Sequence, residues 1–207
     1  MTGPERGFLL LTSHLGLPGR TPLTTAQMRK LGQTVRSSPF LEREQRDLTA
    51  WDLMKIGYSQ EEAVRIERLL SEEEKLDRYL ALGERWGCRP LTWVTPGYPR
   101  ELLERLKLES PGVLWYKGDL SALQMPMIAL VGSRDLYTEN RNFAVAVGKF
   151  AAELGCVLVS GNARGADTEA QESCLAHGGR VISVVAKELW KEPDRKNVLY
   201  LAEDGFD

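Results

Sequence analysis

The residues best placed to do chemistry sit in two short glycine-rich turns, each carrying one arginine. The first, Gly132-Ser133-Arg134-Asp135, closes the apolar run Met127–Val131; the second, Ser160-Gly161-Asn162-Ala163-Arg164-Gly165-Ala166-Asp167, closes the run Cys156–Val159. A guanidinium fork suits bidentate capture of phosphate oxygens. Glycines let an anion approach the backbone closely and adopt dihedrals that other residues resist. The second turn also runs straight into a helical pattern, whose first amides carry a partial positive charge. Together the two turns offer anion binding, most simply of a phosphate. Singly, a glycine after a strand is ordinary punctuation, and each arginine has an acid at hand, Asp135 or Asp167, to pair with. Two such turns on one rim tip the reading towards a ligand. Asp167 itself reads as structural, an early-helix carboxylate that satisfies amides and orients Arg164.

Other chemistries find little support. No Gly-x-x-x-x-Gly-Lys-[Ser/Thr] loop is present, and Val131-Gly132-Ser133-Arg134 lacks the Gly-x-Gly-x-x-Gly spacing of a dinucleotide site. Cys88, Cys156 and Cys174 form no Cys-x-x-Cys pair, and with His14 and His177 as the two imidazoles a zinc centre is disfavoured. Ser133 and Ser160 have no histidine base within sequence reach, which argues against nucleophilic catalysis. Binding is therefore favoured over catalysis, and the chain reads as a non-enzyme. Trp93, Trp115 and Tyr116 are of the type that stacks on bases, but aromatics in strand-like segments are read first as core.

The elements that must position the two turns alternate strand and helix. Met127–Val131 reads as a strand buried on both faces, Phe143–Leu154 as a helix closed by Gly155, and Cys156–Val159 as a second buried strand. Ala166–His177 reads as a helix stopped by Gly178-Gly179, and Val181–Ala186 as a third strand, with a fourth starting at Val198–Leu201. Such alternation implies parallel strands with right-handed crossovers. Both arginine turns then fall on the carboxyl rim, where open α/β sheets bind ligands. Open sheets of this kind usually carry five or more strands, so residues 127–207 read as a sheet domain incomplete at its C-terminal end.

Upstream the pattern differs. Residues 1–86 read as a small all-α domain of four or five short helices. Thr24 or Thr25 serves as an N-cap, and Ser59–Glu62 and Ser71–Glu74 both fit the capping box. Residues 87–126 read as a connector rich in Gly and Pro, holding a short helix at Arg100–Lys107 and a strand at Val113–Lys117. The acidic runs Glu42–Glu44 and Glu72–Glu74 read as solvated helix faces. The 207 residues are 43% hydrophobic and 27% charged, with 19 Gly and 10 Pro, which excludes wholesale disorder and collagen-like repeats. No apolar stretch approaches the roughly 20 residues of a membrane span, and no signal peptide opens the chain, so a cytoplasmic protein is expected. A net charge of −2 gives no bulk basic field, so any polyanion must be held by a local patch.

At these residues the sequence resembles the DNA-processing protein A family (DprA, also called Smf), part of a wider group of Rossmann-like domains. The matching pieces occur in the family's order: Gly97-Tyr98-Pro99 with Leu102, Pro111–Asp119, Ile128–Arg134, Val159–Asp167 with Ala170, and Leu175, Gly178-Gly179 and Val181. The resemblance implies an α/β fold, a Rossmann-like open parallel sheet with a small all-α N-terminal domain. It implies single-stranded DNA binding without strong sequence preference, DNA protection, and loading of the RecA recombinase in natural transformation. It also implies a bacterial, cytoplasmic homodimer joined through the sheet domain, with no metal or nucleotide cofactor and no membrane partner. The family's DNA-contacting basic positions fall on Arg134 and Arg164. The sequence departs from the family pattern at Asn140, Asn162, Ala166 and Gln171, where glycine, an apolar residue, isoleucine and histidine are usual. A Rossmann-like sensor that holds a nucleotide or another phosphorylated small molecule on the same rim is the alternative reading.

Overall fold

The computed structural model describes residues 1–38, 48–203 and 205–207; the Glu42–Glu44 run lies outside them. The contacts divide the chain into two compact units. One comprises Met1–Arg85 with Pro90–Leu114, and the other Trp86–Arg89 with Trp115–Asp207.

The first unit holds six helices among its described residues: α1 (Gly3–Thr12), α2 (Thr25–Arg36), α3 (Ala50–Lys55), α4 (Gln60–Leu70), α5 (Glu73–Arg85) and α6 (Arg100–Leu106). Reciprocal capping boxes start four of them, at Thr2/Glu5, Thr24/Gln27, Thr49/Asp52 and Ser59/Glu62. Each box satisfies amides that a helix end leaves unpaired. The Ser71 box expected from the sequence does not form. Ser71 instead caps the C-terminus of α4, its hydroxyl donating to Arg68 O at 2.8 Å, and α5 begins at Glu73. The apolar run Phe8–Leu11 is wholly buried in α1. Arg20, also buried, donates to Leu10 O and Ser13 O and pairs with Glu72 at 2.8 Å. Glu72 is thus part of an internal ion pair and not of a purely solvated face. Trp93 donates to Pro111 O at 2.7 Å and lies under the Arg29 guanidinium.

The strands are β1 (Arg89–Thr92), β2 (Val113–Lys117), β3 (Met127–Ala129), β4 (Val157–Gly161), β5 (Arg180–Val185) and β6 (Val198–Glu203). They form one six-stranded sheet in the order β1-β2-β6-β5-β4-β3. β3 to β6 are parallel neighbours, with Ala129 opposite Val159, Gly161 opposite Val184 and Val184 opposite Leu201. Helices α7 (Thr138–Glu153) and α8 (Ala166–Ala176) make the β3-to-β4 and β4-to-β5 crossovers. They meet along Ala144, Gly148 and Ala151, and any side chain at Gly148 would strike Ala170 O. The β5-to-β6 crossover carries a 3-10 turn, Leu189–Lys191, in place of a helix.

One face of the sheet packs Val157, Ile182, Leu199 and Leu201 with Ala122. Each fully buried aliphatic side chain there contributes about 1.5–3 kcal/mol. Tyr116 packs against this cluster, and Trp115, fully buried, sits 4.9 Å from the Phe206 ring. These aromatics are core, not a stacking platform.

The expectation that Met127–Val131 is buried on both faces fails. β3 ends at Ala129 and is the last strand of the sheet, which leaves Met127 and Val131 exposed. An apolar run reads alike at the centre or the edge of a sheet, so pattern alone does not place it. No helix among the described residues is long and apolar enough to cross a membrane.

Candidate functional site

Parallel pairing of β3, β4 and β5 carries their carboxyl ends to one rim. The two arginine turns meet there. In the first, Ser133 Oγ accepts from the Asp135 amide at 3.2 Å, a local turn that holds residues 133–135. In the second, Gly165 has φ +96°, and a Cβ on it would fall 2.6 Å from Arg134 O and closer still to Ser133 O. A Cβ on Gly132 would likewise fall 2.6 Å from Ala166 Cβ. The Ala166 amide donates to Ser133 O at 3.0 Å. The first amide of α8 is therefore spent on joining the turns, not offered to solvent.

Arg164 projects from this seam and pairs with Asp135 at 2.6 Å, with both side chains about four-fifths exposed or more. Arg134 is exposed and has no ion pair among the described residues. Asp167 does not orient Arg164, as the sequence reading expected. Its side chain turns inward, with Oδ2 lying 2.5 Å from where a Cβ on Gly161 would be. Asp167 Oδ1 and the buried Ser160 Oγ have no hydrogen-bond partner among the described residues. The structure thus brings Gly132, Ser133, Arg134, Arg164 and Gly165 together on the surface and places Ser160 and Asp167 beneath them.

Asn162 and Gln171, two of the departures from the family pattern, belong to one hydrogen-bonded chain. Gln171 Nε2 donates to Gly161 O and, at 3.4 Å, to Ser183 Oγ. Ser183 Oγ donates to Asn162 Oδ1 at 3.2 Å, and Asn162 Nδ2 donates to Glu192 Oε1 at 2.7 Å. Burial pushes the Glu192 carboxyl above its ordinary pKa, partly offset by the Asn162 bond and by Lys117. This chain ties the second turn to the β5-to-β6 crossover. Its long-range partners, Ser183 and Glu192, left no signal in the sequence. Lys187 did leave one: it is the first cation after β5, on the same rim by the same parallel argument.

The remaining candidates lie elsewhere. His14 Nδ1 is 3.1 Å from Arg20 O and His177 Nδ1 is 2.8 Å from Ser173 O, each engaged with local backbone. The three cysteines are free thiols, and burial raises the pKa of Cys88 and Cys174. Among the described residues no cluster of His, Cys, Asp and Glu is arranged to hold a metal ion.

Comparison with known proteins gives these turns a context. The DNA processing protein DprA of Streptococcus pneumoniae is 37% identical over 92 residues, 44% of this chain and 32% of that protein. Protein Smf of Synechocystis sp. is 32% identical over 130 residues, 60% of this chain and 32% of that protein. The chain spans about a third of the length of these curated relatives. The X-ray structure of DprA from Streptococcus pneumoniae has the same fold, with a TM-score of 0.52 at 23% identity over 89% of this chain and 69% of that one. Residues 89–202, more than half the chain and including both arginine turns, match the family described as DNA recombination-mediator protein A. The chain belongs to that family.

Proposed function

We propose that the chain binds single-stranded DNA without strong sequence preference, with the carboxyl rim of β3 and β4 as the phosphate-holding surface. Gly132, Ser133, Arg134, Ser160, Gly161, Asn162, Arg164, Gly165 and Asp167 make up that surface and its support. In this reading the protein protects DNA and helps load the RecA recombinase during natural transformation, acting as a homodimer in the cytoplasm. It works as a binding module, without a catalytic step or a cofactor. The observation that carries the reading is the seam between the two turns, which sets Arg134 and Arg164 side by side on an exposed edge. Guanidinium forks held to a fixed backbone bind a phosphate chain by charge and geometry, with little regard for base identity.

The test is fluorescence anisotropy with an oligo-dT strand across a salt series. Binding weakens with rising salt, and Arg134→Ala plus Arg164→Ala abolishes it while leaving Tm nearly unchanged, because both side chains are exposed. Loss of two phosphate contacts makes any residual salt slope shallower by about 1.4. Unaltered affinity in the double variant removes the rim from the proposal.

A second reading is favoured by one observation: the acids around the rim. Asp135 already occupies Arg164, Glu192 holds Asn162, and Asp167 lies beneath Gly161. A site so balanced suits a single nucleotide or sugar phosphate as well as a polyanion. A thermal-shift screen of nucleotides separates the two readings: a shift with mononucleotides and no binding of oligo-dT selects the sensor.

A further inference from the structure

The helical unit carries a groove of about 500 Å³, whose described lining residues all belong to Met1–Arg85 and Pro90–Leu114. That volume falls within the ~300–1,000 Å³ usual for ligand sites. α1 and α2 supply Phe8, Met28 and Val35 to its walls, and Trp93, Val94 and Leu103 supply the rest of its apolar surface. The Trp93 ring is fixed in place: its Nε1 donates to Pro111 O at 2.7 Å, and the Phe8 ring lies 5.7 Å away. Val94 is 48% exposed, and α6, which carries Leu103, has no buried residue. Apolar surface is therefore left open on this side of the unit.

Gly32 lies inside α2 and lines the groove, with no positive φ to require a glycine. A glycine in a helix interior costs about 1 kcal/mol against alanine. No packed neighbour needs the room, since what a Cβ there would meet among the described residues is the tip of Arg36, at 3.7 Å. The missing side chain keeps the groove open down to the α2 backbone. The charged residues lining the groove are Arg29 and Arg36, and no acid lines it among the described residues. Arg29 lies 5.3 Å over the Trp93 ring and gives one terminal nitrogen to Lys107 O at 2.9 Å, which leaves N–H donors unused. Arg36 is exposed and forms no ion pair among the described residues.

Apolar walls with guanidinium groups and no carboxylate complement a ligand that is apolar and negatively charged. The walls are largely aliphatic, which suits aliphatic and aromatic side chains. A nucleic-acid base stacks on flat aromatic faces, and the Trp93 ring already has Arg29 over one of its faces. We propose that this groove is a docking site for an acidic, apolar peptide segment of a partner protein. A large apolar side chain of the segment enters above Gly32, and its carboxylates meet Arg29 and Arg36. Such a segment is read by its apolar anchors, as amphipathic peptides in grooves generally are. The proposal is independent of the DNA rim.

The test is a selection from random short peptides displayed on phage, with the full chain as bait, followed by fluorescence anisotropy on a synthetic copy of the strongest binder. Selected sequences are enriched in Asp or Glu beside Leu, Ile, Phe or Trp. Gly32→Leu fills the groove and weakens the selected peptide about ten- to a hundredfold, the effect of one buried apolar side chain. Its Tm holds or rises, because the helix loses a glycine. Arg36→Ala weakens the peptide about two- to fivefold at low salt, as loss of an exposed ion pair does. The same peptide with glutamine for its glutamates and asparagine for its aspartates no longer distinguishes Arg36→Ala from wild type. A selection that enriches nothing, or enriches basic peptides, overturns the proposal. So does a peptide that binds Gly32→Leu as tightly as wild type. Where Gly32→Leu does not fold, the Arg36→Ala comparison decides, and equal affinity of the acidic peptide for that variant and wild type overturns the site. An oligo-dT strand that folded Gly32→Leu binds more weakly than wild type assigns the groove to nucleic acid, and also overturns it.

Discussion

Replacing Gly165 with alanine tests whether the two turns form one rigid surface. At φ +96° an alanine is strained by roughly 1–3 kcal/mol. Its methyl group would also meet Ser133 O and Arg134 O, backbone atoms that cannot rotate away as a flexible side chain would. Overpacking of that kind costs roughly another 1–3 kcal/mol. For a chain of this size each kcal/mol lowers Tm by roughly 2–4 °C, so Gly165→Ala is expected to lower it by about 5–20 °C. Gly155 provides the control. It has φ +67° but nothing within 4 Å of its Cβ position, so Gly155→Ala incurs the backbone strain alone. Its Tm falls by a few degrees. Thermal denaturation followed by circular dichroism reads both variants, and anisotropy with a dT strand reads the rim. Gly165→Ala loses binding even below its Tm, because relieving the clash separates Arg134 from Arg164. A Gly165→Ala protein that melts with the Gly155→Ala control and binds DNA normally refutes the idea of a fixed seam.

Two further outcomes follow from polar groups away from the arginines. Arg20→Ala removes one of the two cations that Glu72 pairs with, leaving Lys75 at 2.6 Å, and takes the guanidinium donor from two backbone carbonyls; it is expected to destabilise the helical unit by about 1–3 kcal/mol, and an unchanged urea midpoint contradicts this. Glu192 has a raised pKa through burial, so its ionised form is disfavoured in the folded protein, and stability falls as pH rises through the unfolded and then the folded pKa. Glu192→Gln, which keeps an acceptor for Asn162, therefore raises Tm at pH 7 and leaves it unchanged at pH values below the ordinary carboxylate range.

Much of the sheet unit was legible because its signals are local. The runs around Val157–Val159 and Val181–Val185, the Gly178-Gly179 stop after α8 and the turns after β3 and β4 are each set by a few adjacent residues. The apolar pattern starts α7 at Phe143, five residues after its first residue, since Thr138–Asn142 is polar and announces no apolar face. The pattern at Ser71 is ambiguous, because Ser-x-x-Glu also fits a serine that ends one helix just before the next begins. The site divided the same way. Parallel topology placed Arg134 and Arg164 on one rim from sequence alone, but the direction of the Asp167 side chain depends on packing against Gly161. The Gln171–Ser183–Asn162–Glu192 chain joins residues up to 30 positions apart, and no spacing rule reports it.

The Arg164–Asp135 pair gives the resting rim a tenant of its own. Asp135 belongs to the turn that also carries Arg134, so admitting an anion at Arg164 means evicting a tethered carboxylate that stays close by, ready to return. Small monovalent anions gain little from such an exchange, whereas a ligand presenting several linked phosphates can displace the carboxylate at one point while anchored at another. If the rim holds DNA as proposed, the same tether would speed release once the neighbouring anchors let go.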